Sequence, residues 1–319
     1  MPHDPPVTLA LALLTLVSAA AAVLALRRLR GTVARSEDHE RSASDGGEAA
    51  GPVPWVRGLS MGVAIGSAGV LAYRWLQGVA AWRLVAHVDG LLLIGGLLAL
   101  AAWYVQTRPR LRGLAGFVLA GVSFALAWAV CAAAWTYHPF NLERLDPVWE
   151  ALHLGGVYLG TLSAVLATAA GAMYLFVHRR LKAHKPPPAA GRIASLETLE
   201  TVIVRCSALG FILLTLGLVA GVVVITHIAD EHPRLGGPWW LSPKIVLSAG
   251  AWALYAVLMN ARRASAFRGA YAAWLSIAAM VLLLSVYAVV TVVPVGSAID
   301  HAAAAGATAQ DPPPEGGGR

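Results

Sequence analysis

Eight long apolar stretches run through this chain of 319 residues, and polar segments separate them. Crossing the hydrocarbon core of a bilayer takes roughly 20 apolar residues, and most of the stretches reach that length. Because the chain is 58% hydrophobic and only 13% charged, its composition excludes a soluble globular protein. The pattern predicts an all-α, polytopic membrane protein with about eight transmembrane helices, covering Val7–Leu26, Val56–Tyr73, His87–Val105, Leu114–Ala134, Val148–Val177, Thr201–Ile228, Ile245–Met259 and Ala270–Val293.

Most of the 24 lysines and arginines fall in alternate loops. Loops rich in these residues remain in the cytoplasm, so we expect both termini to face outward, from the cytoplasmic (inner) membrane of the cell. The net charge of +7 is then an orientation signal with some attraction to anionic lipid, and we expect no nucleic-acid partner. The basic residues of the predicted cytoplasmic loops are Arg27, Arg28, Arg30, Arg35, Arg41, Arg57, Arg108, Arg110, Arg112, Arg179, Arg180, Lys182, Lys185, Arg192, Arg205, Arg262, Arg263 and Arg268.

The domain organisation predicted from these spans is simple. Residues 1–302 form one membrane domain, and the first span carries its basic cluster after the apolar run, which is the reverse of a signal peptide. Residues 27–55 are expected to be a disordered cytoplasmic loop because much of the segment is polar and rich in Gly and Ser. Residues 303–319, rich in Ala, Pro and Gly, are expected to be a disordered tail.

Six of the ten histidines map to the outer ends of the spans or to the outer loops, and several tryptophans lie at the same level. Neutral imidazole is an axial ligand for heme iron, and indole rings can line an apolar macrocycle. Interfacial histidine and tryptophan are also ordinary in membrane proteins. Zinc is disfavoured because the chain has no HxxxH or HxH pair. The residues concerned are His87, His138, His153, His227, His232 and His301, with Trp82, Trp135, Trp149, Trp239 and Trp240.

Residues 194–248 carry the most distinctive pattern. ASLETLETVIVRCSALGFILLTLGLVAGVVV begins with Ser195 as a helix cap and has Thr198 where a capping box would have Glu. GPWWLSPKIVLSAGAW follows at the outer surface. The helix also contains small residues that permit close packing in a membrane, namely Gly210, Gly217, Ala220 and Gly221.

Together with WEALHLGGVYLGTLSAVLATAAGAMYLFVHRRLK upstream and AWALYAVLMNARRASAFRGAYAAWLSIAAM downstream, this region resembles the CcsA/ResC-like family of cytochrome c assembly proteins, including its HemX-like members. The resemblance is best over residues 148–293. In that family a tryptophan-rich outer loop forms a platform for heme, and histidines on the outer side ligate the iron. This chain has Leu241, Ser242 and Asn260 where the family pattern has Trp, Asp and His.

The resemblance implies a heme site at the outer face. His153 matches the upstream outer histidine and His301 the downstream one, so these two are the expected ligands of the heme iron. His227 is a local alternative to His301. The platform residues would be Trp239 and Trp240, with Lys244 placed to contact a heme propionate.

Three functions follow from this interpretation. The first is heme handling in cytochrome c biogenesis, with another assembly membrane protein and apocytochrome c as partners. The second is a HemX-like regulator of tetrapyrrole synthesis that contacts a cytoplasmic enzyme through the basic loop at 178–192. The third, a small-molecule transporter, is disfavoured because no charge is predicted in the middle of a span. We expect no catalysis in the strict sense, since no nucleophile with a positioned base and no buried carboxylate is apparent.

Overall fold

Eight α-helices and no strand make up the part of the chain that the computed structural model describes. Seven helices are long and apolar enough to cross a membrane, and the shorter α7 is apolar over Ile245–Asn260. The prediction of an all-α, polytopic membrane protein is confirmed. The helices are α1 Pro5–His39, α2 Pro54–Leu76, α3 His87–Thr107, α4 Leu114–Trp135, α5 Pro147–Lys182, α6 Leu196–Glu231, α7 Pro243–Asn260 and α8 Ala270–Val292. The described residues are 5–39, 54–77, 87–108, 111, 113–135, 147–183, 194–231, 243–260 and 269–292.

The helices form two groups of four. In the first group α1 packs on α2 and α4, and α3 packs on α2 and α4; in the second, α5 packs on α6 and α8, and α7 packs on α6 and α8. Neighbours in the sequence are therefore neighbours in space, as short connections between antiparallel helices dictate. The groups meet where α3 and α4 contact α5, so α5 belongs to the core of both.

Helix α1 is longer than its apolar span. It continues to His39, so the prediction of a disordered loop beginning at residue 27 is wrong for residues 27–39; residues 40–53 lie outside the described part of the chain. The reason is that each residue added to an existing helix gains a backbone hydrogen bond without a new nucleation cost, and this segment contains four arginines, which favour helix.

The predicted cap of α6 is confirmed. The amide of Thr198 donates to Oγ of Ser195 at 3.2 Å, and the hydroxyls of the two residues lie 2.7 Å apart. Ser195 thereby satisfies one of the amides that a helix start leaves without an intrahelical partner. This cap fixes where α6 begins.

Helices α5 and α6 pack backbone to backbone through glycines. A Cβ at Gly156 would lie 2.7 Å from the amide nitrogen of Gly217 and 2.7 Å from the carbonyl oxygen of Leu213. One turn further along α5, a Cβ at Gly160 would lie 2.8 Å from the side chain of Leu214. Small residues at membrane helix contacts allow this approach, as predicted for α6. A side chain at Gly156 would therefore separate the two helices, whereas one at Gly160 would first have to displace the side chain of Leu214.

Candidate functional site

The ends of α2, α4, α6 and α8 lie with the starts of α3, α5 and α7 at one end of the bundle, because successive helices run antiparallel. We call this the outer end, following the distribution of basic residues. The hydroxyls of Thr161 on α5 and Tyr287 on α8 lie 3.3 Å apart. Further along α5, the hydroxyl of Thr168 donates to the carbonyl oxygen of Ser276 on α8. His153 lies fifteen residues, about 22 Å at 1.5 Å per residue, closer to the start of α5 than Thr168, and is therefore level with the last turn of α8.

His153 occupies a slot that two glycines of α6 leave open. Its Nδ1 lies 2.7 Å from the carbonyl oxygen of Gly217, and the residue is partly buried. A Cβ at Gly221 would lie 2.8 Å from both Nδ1 and Cε1 of the ring. The imidazole thus packs directly on the backbone of α6, and any larger residue at Gly221 would displace it.

The contact with Gly217 determines what the ring can do chemically. A carbonyl oxygen only accepts hydrogen bonds, so Nδ1 must carry the hydrogen. In the neutral ring Nε2 then carries the lone pair that coordination to a metal requires. Histidines that ligate metals commonly donate their other ring N–H to a backbone carbonyl in this manner. The arrangement of His153 therefore fits an axial ligand of heme iron.

A buried ion pair lies at the same end of the bundle. Nε of Arg74, at the end of α2, donates to Oδ1 of Asp89, at the start of α3, at 2.5 Å. Asp89 is 0% exposed, and the hydroxyl of Tyr158 packs against the backbone of Gly90 beside it. The expectation that the spans lack buried carboxylates is therefore wrong, and Glu150 on α5 is buried as well.

Sequence reasoning did not identify this pair, although a signal was present. Arg74 and Asp89 have opposite charges and flank one short outer loop between two apolar spans. Charges in such positions are costly unless they are paired.

The other predicted site residues are less completely described. His227 lies in the last two turns of α6, about 9 Å along the axis beyond Gly221, and Lys244 is the second residue of α7. Trp239, Trp240 and His301 lie outside the described residues. Within the described part of the chain, no group of three or more His, Cys, Asp or Glu side chains could hold a metal ion. The structure therefore gives the surroundings of one predicted ligand, His153.

Comparison with known proteins identifies the family. A family model described as Cytochrome C assembly protein matches residues 84–296. No curated protein and no solved structure matches the chain. The matched region includes α3 and α4 in addition to the segment 148–293 in which the sequence resemblance is best, and it ends before His301. Since the match covers more than half of the sequence, this membrane protein belongs to the cytochrome c assembly protein family and acts in cytochrome c biogenesis.

Proposed function

We propose that the protein binds heme at the outer end of its bundle and that His153 is an axial ligand of the iron. The observation that carries this proposal is the hydrogen bond from Nδ1 of His153 to the carbonyl of Gly217. It fixes both the ring orientation and the nitrogen that carries the lone pair.

The chain's own residues would orient heme more than transform it. His153 would hold the iron, and the glycine contacts between α5 and α6 would hold His153. Heme supplies the vinyl groups to which cytochrome c thiols become attached, so the protein's task is presentation of one reactive edge. No nucleophile is needed for that task.

The second axial ligand of the heme iron would come from a residue near the outer end of the bundle. His301 follows the end of α8 at Val292 by nine residues, and that length of chain reaches at most about 30 Å. This is sufficient to approach His153, which is level with the last turn of α8. His227, on α6, is the alternative.

The loop between Glu231 and Pro243 joins the outer ends of α6 and α7, and it contains Trp239 and Trp240. We propose that these tryptophans line one face of heme and that Lys244 contacts a propionate. Apocytochrome c and another assembly membrane protein are the partners that fit a site at this end. The membrane would be the cytoplasmic (inner) membrane, with the site on its outer side.

The proposal is tested by absorption spectra of the detergent-purified protein, oxidised and then reduced with dithionite. We expect a Soret band and split bands on reduction, and loss or displacement of these bands in His153→Ala. His178→Ala is the matched control, because His178 is a partly buried histidine of the same helix at its inner end, stacked on Tyr174. A colourless wild type that takes up no added hemin would contradict the proposal.

One observation favours the second candidate, a membrane regulator of tetrapyrrole synthesis. Gly171 of α5 lies opposite Ala273 of α8, yet α8 begins at Ala270 while α5 continues to Lys182. The basic end of α5 therefore projects beyond α8 on the inner side, where a cytoplasmic enzyme could bind. If this candidate is correct, Lys182→Glu should alter cellular heme levels while His153→Ala leaves them unchanged.

A further inference from the structure

Gly221 differs from the glycines that hold α5 and α6 together. At Gly156 the atoms nearest an added Cβ belong to the backbone of α6, so that glycine serves helix packing. At Gly221 the three nearest atoms all belong to the imidazole of His153. Gly221 is thus the one glycine of the described residues at which the space of an added Cβ is occupied by a histidine ring.

We propose that Gly221 is a positioning residue for His153, which selects the ring tautomer by letting Nδ1 reach the carbonyl of Gly217. This inference rests on the proposed function, since it concerns how the heme ligand is prepared. It assigns to Gly221 a role that helix packing alone does not require.

The helix geometry explains why glycine is needed at this position. In an α-helix the amide of residue 221 donates to the carbonyl of residue 217. A carbonyl oxygen has two lone pairs, so the oxygen of Gly217 can accept from that amide and from Nδ1 of His153 together. The ring must then approach beside residue 221, in the space where its Cβ would project. Only glycine leaves that space open.

Replacing Gly221 with alanine should therefore move the ring without preventing folding. The atoms that the new methyl group meets are at the far end of a side chain with two rotatable bonds, not in the backbone of α5. Once displaced, Nδ1 loses its acceptor and the hydrogen is no longer held on that nitrogen. Loss of such a supporting contact typically weakens metal binding by about 10- to 100-fold.

The experiment compares wild type, Gly221→Ala and Gly155→Ala. Gly155 lies two residues from His153 on α5 and has open space where a Cβ would be, so its substitution controls for an added methyl group near the site. Two quantities are measured: the hemin dissociation constant by titration, and the ¹⁵N chemical shifts of the His153 ring in hemin-free protein, assigned by their loss in His153→Ala. We expect Gly221→Ala to weaken hemin binding about 10- to 100-fold and to shift the hydrogen from Nδ1 toward Nε2. Gly155→Ala should change neither quantity.

The outcomes separate this inference from the proposed function. If Gly221→Ala matches wild type in both quantities, the inference is overturned, while loss of hemin in His153→Ala would leave the proposed function standing. If the wild type binds no hemin, the proposed function fails and the ¹⁵N shifts still decide the tautomer question. Should Gly221→Ala not fold, the double variant Gly221→Ala/His153→Ala decides: recovery of folding supports a clash with the ring, and continued misfolding overturns the inference.

Discussion

The ion pair between Arg74 and Asp89 provides a sharp energetic prediction, because its two side chains are buried unequally. The side chain of Asp89 is 1% exposed and that of Arg74 is 12% exposed. Removing one partner of a buried ion pair typically destabilises a protein by about 3–5 kcal/mol, because the remaining charge has no partner. We expect Arg74→Met to reach that range.

Replacing the other partner, Asp89, should reduce the free energy of unfolding by a smaller amount. Asp89→Asn leaves a guanidinium at the end of α2 that already has some access to solvent, so the loss is closer to that of one hydrogen bond to a charged group, about 1.5–3 kcal/mol. Arg74→Met instead leaves a carboxylate whose Oδ2 has no hydrogen-bond partner among the described residues. The double variant Arg74→Met/Asp89→Asn removes both charges and should be more stable than Arg74→Met alone.

The free energies of unfolding can be obtained from reversible denaturation of the four proteins in mixed micelles, followed by circular dichroism. A double-mutant cycle then gives the coupling energy between the two positions. A cost below about 1 kcal/mol for Arg74→Met would place the pair in the class of exposed ion pairs and refute the argument from burial. Additive effects of the two substitutions would refute the pairing itself.

The remaining predictions concern packing, capping and orientation. Gly156→Val should destabilise the α5–α6 pair strongly, since the backbone of α6 cannot move aside, whereas Gly155→Ala should be neutral or stabilise by about 0.5–1 kcal/mol; thermal unfolding compares them. Ser195→Ala should cost about 1 kcal/mol through loss of the α6 cap, measured in the same way. In a cysteine-free background, Gln77→Cys should react with an impermeant maleimide on intact cells and Lys182→Cys only after permeabilisation; the opposite result would invert the proposed orientation.

The fold was accessible from the sequence because the length and composition of apolar segments dictate membrane helices directly. Seven of the eight predicted spans lie within helices of the structure, the eighth coincides with α8 as far as Val292, and the cap at Ser195 was identified from residue types alone. The end of α1 was not, because the segment after Arg27 is polar and polarity does not distinguish a helix that projects from the membrane from a loop.

The candidate site was only partly predictable. His153 was selected by its position and by family resemblance, whereas its contact with Gly217 depends on how α5 and α6 rotate about their axes. The role of Gly221 was also hidden, since in the sequence it looks like one more small residue for helix packing. Side-chain partners on different helices are set by these rotations, which the apolar pattern of a membrane helix leaves undetermined.

Helix α5 connects the features of the outer end. His153 faces α6, Tyr158 contacts α3 at Gly90, and Thr161 lies opposite Tyr287 of α8. Because each residue turns the helix by about 100°, these positions point in different directions, and α5 can bind three neighbours at once. The glycine contacts join α5 to α6 backbone to backbone, so the two helices should move as one rigid pair. The geometry of His153 toward Gly217 and Gly221 is then preserved during any motion of the other helices, as a preformed ligand requires.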